Sequence, residues 1–158
     1  MKEVELYRIV HSDSTPECHM YLREKPAPGA TGAAARGRVF PVIIAMNEMA
    51  EIHRKVHGIA TRRPMTHDLF GALMKAADLR LLSVEITELK DDVFYARMNF
   101  KDAQGRTFAV DARPSDSVAI ATGLGVTLYA DEKILDSIGI VEEEDAGGGA
   151  EKEAGGSN

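Results

Sequence analysis

Residues 79–122 constrain the fold more than any other stretch. Three segments, 79–89, 93–100 and 106–111, are separated only by Lys90-Asp91-Asp92 and by Asp102-Ala103-Gln104-Gly105. Connections that short cannot return a chain to a parallel neighbour, so the spacing predicts an antiparallel meander. Leu82, Val84 and Ile86 alternate and supply the buried face of its first strand. The third strand runs straight into Arg113-Pro114-Ser115-Asp116. Proline suits a first helical turn, where its missing N–H costs nothing. Ser115 and Asp116 then set polar oxygens at the positive end of a helix over 114–122, bracketed by Gly123 and Gly125. This strand-to-helix corner carries two carboxylates, Asp111 and Asp116, and one guanidinium, Arg113. One cap would satisfy a purely structural corner.

The rest of the chain reads as strands and helices in runs. Residues 2–11 and 17–23 form a hairpin across a turn at 12–16, and 24–37, rich in Pro, Gly and Ala, is a loop. Residues 39–44 read as a buried strand, with Pro41 at an edge or a bulge. A helix over 45–57 places Met46, Met49, Ala50 and His53 on one face and stops at Gly58. Thr66 caps the next helix, whose apolar face is Leu69, Phe70, Leu73, Met74 and Ala77. A short strand at 126–129 precedes a last helix over 132–138, capped by Asp131. Strands in runs with helices between them predict an α+β class: a mixed, mostly antiparallel sheet with three to four helices packed on it.

The chain has 158 residues and 44% apolar composition, enough for one domain with a real core. That domain spans 1–140. Residues 141–158 hold six acids, one base and two glycine runs, and composition predicts a disordered acidic tail. The tail carries −5 of the net charge of −6, so the body is near neutral at −1. A basic cluster at Arg54, Lys55, Arg62 and Arg63 either attracts phosphates or is an ordinary solvated helix end. No apolar run reaches membrane-span length and no signal peptide is evident, so a cytoplasmic location is the default. The single cysteine, Cys18, excludes an internal disulfide and reads as packing.

Three segments together carry a family likeness. They are Val39-Phe40-Pro41-Val42-Ile43-Ile44 leading into Asn47-Glu48, Arg63-Pro64-Met65-Thr66-His67-Asp68-Leu69, and Asp111-Ala112-Arg113-Pro114-Ser115-Asp116-Ser117. In order and spacing the chain resembles the bifunctional nuclease family over roughly 2–140, outside the loop at 24–37 and the tail. The resemblance implies an α+β domain with DNase and RNase activity. It assigns no catalytic residues. One departure is visible: Met49, Ala50, Glu51 and Ile52 follow Glu48, where relatives carry small residues and a histidine.

Phosphodiester hydrolysis needs an activated water, a stabilised phosphorane and a protonated leaving oxygen. Carboxylates holding Mg²⁺ or Mn²⁺ supply the first two and histidine the third. The motifs offer Glu48, His67, Asp68 and Asp116 as catalytic candidates. Asp68, Asp111 and Asp116 are the metal candidates, and Arg113, Ser115, Arg62 and Arg63 the phosphate contacts. Each has a plainer reading. A carboxylate in a first turn gains about 0.3–1 kcal/mol from the helix dipole alone. Arg113 can simply pair with Asp111 or Asp68. His53 and His57 stand at metal-gripping spacing but lack a third ligand in view. The leading expectation is a metal-assisted nuclease of DNA or RNA with little sequence preference. The alternative is a non-catalytic nucleic-acid-binding or regulatory module, since the body is neutral and only five Phe, four Tyr and no Trp are available for stacking. An exposed edge strand would make the protein a homodimer.

Overall fold

A computed structural model describes residues 1–11 and 17–142. The expected turn at 12–16 and the tail from 143 onward lie outside the described residues. Seven strands form one sheet: β1 (Lys2–His11), β2 (Glu17–Glu24), β3 (Val39–Ala45), β4 (Arg80–Lys90), β5 (Val93–Lys101), β6 (Thr107–Ala112) and β7 (Leu128–Ala130). Their spatial order is β3-β2-β1-β7-β4-β5-β6. All neighbours run antiparallel except β4 and β7. Four helices complete the fold: α1 (Met46–Val56), α2 (Thr66–Ala76), α3 (Pro114–Leu124) and α4 (Glu132–Ile138). The α+β class and the β4-β5-β6 meander are as the sequence predicts, and no described helix is long and apolar enough to cross a membrane.

Turn chemistry fixes the meander. Asp91 and Asp92 both have positive φ (49° and 60°), the conformation a two-residue hairpin turn demands. Asp102 accepts hydrogen bonds from the N–H groups of Gln104 and Arg106 and shapes the second turn. A bulge between Leu81 and Ser83 breaks the simple alternation in β4. Leu81 is therefore buried with Val84 and Ile86, and Leu82, expected inside, faces solvent. Pro41 lies on the edge strand β3, where its missing N–H is tolerated.

The core lies between one sheet face and the helices. Phe40, Met20, Leu22 and Cys18 from β2 and β3 meet Val84, Ile86 and Phe100 from β4 and β5. Val118, Ala119, Ile120 and Ala121 of α3 pack between them, and α3 is the most enclosed helix. It runs two residues further than expected, to Leu124, with Gly125 as its left-handed stop (φ 67°). Gly123 therefore sits inside the helix. A side chain there would meet the Lys55 stem at 2.9 Å, so glycine lets Lys55 pass.

Two expected helix faces are corrected. In α1 the buried residues are Glu51 and Ile52, whereas Met46, Ala50 and His53 face solvent. In α2, Phe70 and Met74 point inward, and Leu69, Leu73 and Ala77 do not. In α1 the inward stripe includes a charged residue, Glu51, whereas in α2 it is a narrower apolar stripe than the spacing predicts.

Candidate active site

Three helices begin in the same way, and their starts converge. In α1, α2 and α3 the third helical residue is a carboxylate: Glu48, Asp68 and Asp116. Ala45 and Met65 have no capping side chain. Glu48 accepts the Ala45 N–H (2.9 Å) and Asp68 the Met65 N–H (3.0 Å), doing the cap's work from inside the helix. Thr66, expected to cap α2, is instead its first residue. At α3 the cap position is Arg113, and Asp116 takes its guanidinium: Nε to Oδ2 at 2.8 Å, Nη2 to Oδ1 at 3.1 Å.

One ionic network joins the three starts. Arg54 reaches both oxygens of Glu51 (2.9 and 2.7 Å) and both of Asp68 (2.9 Å each). Lys55 binds Asp68 at 2.5 Å. His67 Nε2 lies 3.1 Å from Asp116 Oδ1, and its Nδ1 lies 3.6 Å from Glu51 Oε1. Arg113 Nη1 closes the chain on Glu48 at 2.6 Å. Burial is uneven along it. Glu51 is 7% exposed, while the Arg113 side chain is 67% exposed. Among the described residues no buried side-chain nitrogen or oxygen lacks a partner.

The charges are set by these contacts. The Lys55 and Arg54 hydrogen bonds hold the Asp68 carboxyl far below its usual range. Arg54 does the same for Glu51, against the cost of burial. Burial also opposes ionisation of Asp116, but the Arg113 and His67 hydrogen bonds outweigh it and its pKa is lowered. All three carboxylates are therefore ionised at neutral pH.

Two cavities flank the network. A smaller one, about 310 Å³, is lined by Lys55, His67, Asp68, Lys75 and the small residues Gly71 and Gly123. Lys75 is exposed and makes no ion pair with any described residue. A larger groove, about 780 Å³, has apolar walls including Val42, Ile44, Phe94 and Pro114, with Glu48, Arg113 and Ser115 along it.

The structure thus gathers Glu48, His67, Asp68, Arg113 and Asp116, and leaves others apart. Arg113 pairs with Glu48 and Asp116, not with the expected Asp111 or Asp68. Asp111 stands exposed on β6 opposite Arg97. Arg62 and Arg63 are exposed in the α1–α2 connection, outside the network. Arg54 and Lys55 are neither a phosphate patch nor a solvated helix end, since their side chains are mostly buried against Glu51 and Asp68. Glu51, in sequence only a departure from the family pattern, is the most enclosed acid of the network. The signal that could have found it is its spacing: Glu48, Glu51 and Lys55 recur at three and four residues, one helical stripe.

The expected metal set does not fit. Asp68 spends its oxygens on two cations and an N–H, Asp116 on Arg113 and His67, and Asp111 is elsewhere. Among the described residues no group of three or more His, Cys, Asp or Glu side chains is placed to hold an ion. This includes His53 and His57, whose rings pack together at 4.1 Å with no third ligand.

Comparison with known proteins agrees with the motifs. The bifunctional nuclease domain matches residues 32–143, which leaves β1 and β2 outside the matched span and brings part of the 24–37 loop inside it. Two uncharacterized proteins of Mycobacterium tuberculosis, from strains CDC 1551 and H37Rv, are each 39% identical over 104 residues, 66% of this chain. The chain spans 61% of the length of these curated relatives. With the family domain covering most of the described core, including all three helix starts, the chain belongs to the bifunctional nuclease domain family.

Proposed function

We propose that this domain cleaves phosphodiester bonds of DNA or RNA at the cavity beside His67. The observation that carries the reading is the His67–Asp116 pair, 3.1 Å apart, at the wall of a cavity that also holds Lys55 and Lys75. Asp116 fixes the ring's tautomer and orientation, so it is a positioning residue. His67, on the wall of this cavity, is the group that exchanges a proton with substrate; its Nδ1 lies 3.6 Å from Glu51 Oε1, too far for a hydrogen bond. Lys75 and the outer edge of Arg113 meet the phosphate charge. Asp68 and Glu51 hold Arg54 and Lys55 in place. No step is routed through a protein-held metal, because the carboxylates are already engaged.

The test is cleavage of labelled single-stranded DNA and RNA by highly purified protein, with EDTA, Mg²⁺ or Mn²⁺, beside His67→Gln. The reading expects turnover that survives EDTA and collapses in the variant. Equal cutting by parent and variant overturns it.

One observation favours a second reading, a nucleic-acid-binding module without turnover. Both ring nitrogens of His67 face carboxylates, and the network's charges satisfy one another. Salt-dependent binding without cleavage would select it.

A further inference from the structure

The aromatic residues are sorted by sheet face. All five phenylalanines lie on the helix side: Phe40 and Phe100 are buried, Phe70 and Phe94 pack against the core, and Phe108 stacks on Phe100 at 5.5 Å. All four tyrosines lie on the opposite face. Tyr21 pairs with Arg8, Tyr129 with Glu3 and Glu85, and Tyr95 with Glu88, and none of these residues is buried. Tyr7 occupies the bulge between Leu6 and Arg8, with its ring under the guanidiniums of Arg8 (5.3 Å) and Arg23 (4.3 Å).

Strand order and register set these rings on a diagonal. Tyr21 and Tyr7 stand at one end, on β2 and β1. Tyr129 on β7 is central, and Tyr95 on β5 is at the far end. Strand spacing and rise put about 12–13 Å between successive stations. Arginines accompany the rings. Arg8 lies 4.6 Å from the Tyr21 ring centre, and Arg97 shares strand and face with Tyr95, two residues away. Arg23 and Arg97 each grip one carboxylate, Glu5 and Glu85, through Nε and Nη2, which leaves Nη1 of each to meet an acceptor. Arg8 holds the carboxylate of Glu142, the last described residue, and Arg36 donates to the Glu142 carbonyl at 3.2 Å. Ion pairs this open to solvent are worth little, so a phosphate can take a carboxylate's place.

We propose that this diagonal is a platform for single-stranded nucleic acid. Bases stack on the tyrosines and phosphates meet Arg8, Arg23 and Arg97. Glu142 stands where a phosphate would and is displaced by the incoming strand. Rings and guanidiniums read bases and phosphates rather than the sugar, so the platform takes DNA and RNA alike. It lies across the sheet from the cavity beside His67 and holds the strand without chemistry. The choice of nucleic acid as the occupant rests on the phosphodiester reading above.

The experiment uses the full chain carrying His67→Gln, so that binding is read without cleavage. The protein has no tryptophan, so its emission comes from tyrosines, all of them on this face. Titration with oligo(dT) or oligo(U), corrected for nucleotide absorption, should quench that emission, with affinity falling as salt rises. Tyr7→Thr and Tyr95→Thr, exposed and at opposite ends, should each lower affinity about fivefold or more with unchanged circular dichroism. Glu142→Gln should raise it. No binding at low salt overturns the proposal. So does binding, followed by anisotropy of a labelled strand, that leaves tyrosine emission and both tyrosine variants unmoved, because the strand then lies elsewhere. Cleavage plays no part in the readout, so a parent that binds here but never cuts refutes the His67 reading alone.

Discussion

The two ends of the ionic network use the same residue types for opposite purposes. Between α1 and α2, Glu51, Arg54, Lys55 and Asp68 are enclosed and fully paired, with side chains 7–27% exposed. At the start of α3, Arg113 is mostly exposed and His67 and Asp116 reach solvent between two cavities. A buried charge network adds little net stability, because desolvation offsets its attraction, but losing one member leaves a stranded charge. The closed end therefore sets how α1 and α2 dock. The open end is where a substrate can meet a charge or a ring nitrogen. The difference lies in the exposure of Arg113 and Asp116, 67% and 32%, rather than in residue identity.

The comparison breaks most visibly at the closed end. Arg54→Met removes the cation that grips both oxygens of Glu51 and of Asp68, leaving the enclosed Glu51 only Lys55 at 3.9 Å and His67 at 3.6 Å. We expect a loss of about 3–5 kcal/mol in urea unfolding. An unchanged midpoint would mean that the network does not tie the helices together. At the open end the effect moves to activity. His67→Gln should lower cleavage by about 10²–10⁴-fold, with unfolding shifted by about 1 kcal/mol or less.

Acid should separate the same two functions. Glu51, Asp68 and Asp116 all have lowered folded-state pKa values. Groups of this kind contribute stability that is complete above their unfolded values, about 4, and is lost as pH falls through their folded ones. Urea midpoints should therefore hold from neutral pH down to that range and then decline. Asp68→Asn should flatten part of the decline, and a parallel curve would assign it to other carboxylates. The smallest effect is expected from Arg113→Lys. It keeps the charge but loses the two-point grip on Asp116. Stability should change by about 0–1 kcal/mol, with KM rising more than kcat falls.

Turn and breaker residues made the fold legible. Asp91-Asp92, Gly105 and Pro114 punctuate the meander and its corner, and Pro41 marks the edge. The face of α1 was not legible, because hydrophobic periodicity assumes that inward means apolar; in α2 the apolar residues outnumber the inward places, so Phe70 and Met74 were legible but the exposure of Leu69 and Leu73 was not. Glu51 points inward because Arg54, from the same helix, and His67, from the next, meet it there, and that pairing exists only once α2 is docked. Glu48, Asp68 and Asp116 were legible as members of three motifs, but not their convergence. Their shared place, the third residue of each helix, needed the helix boundaries. The engagement of the metal candidates was not legible for a related reason. Counting carboxylates ignores which cations already occupy them.

The most direct test of the division between a closed scaffold end and an open chemical end is the pH–rate profile of oligonucleotide cleavage by Asp116→Asn beside the parent, each at its measured folded fraction. We predict a rate at least tenfold lower across the profile, because His67 loses the carboxylate that orients it, while the urea midpoint stays near the parent's. An identical rate and profile would contradict it.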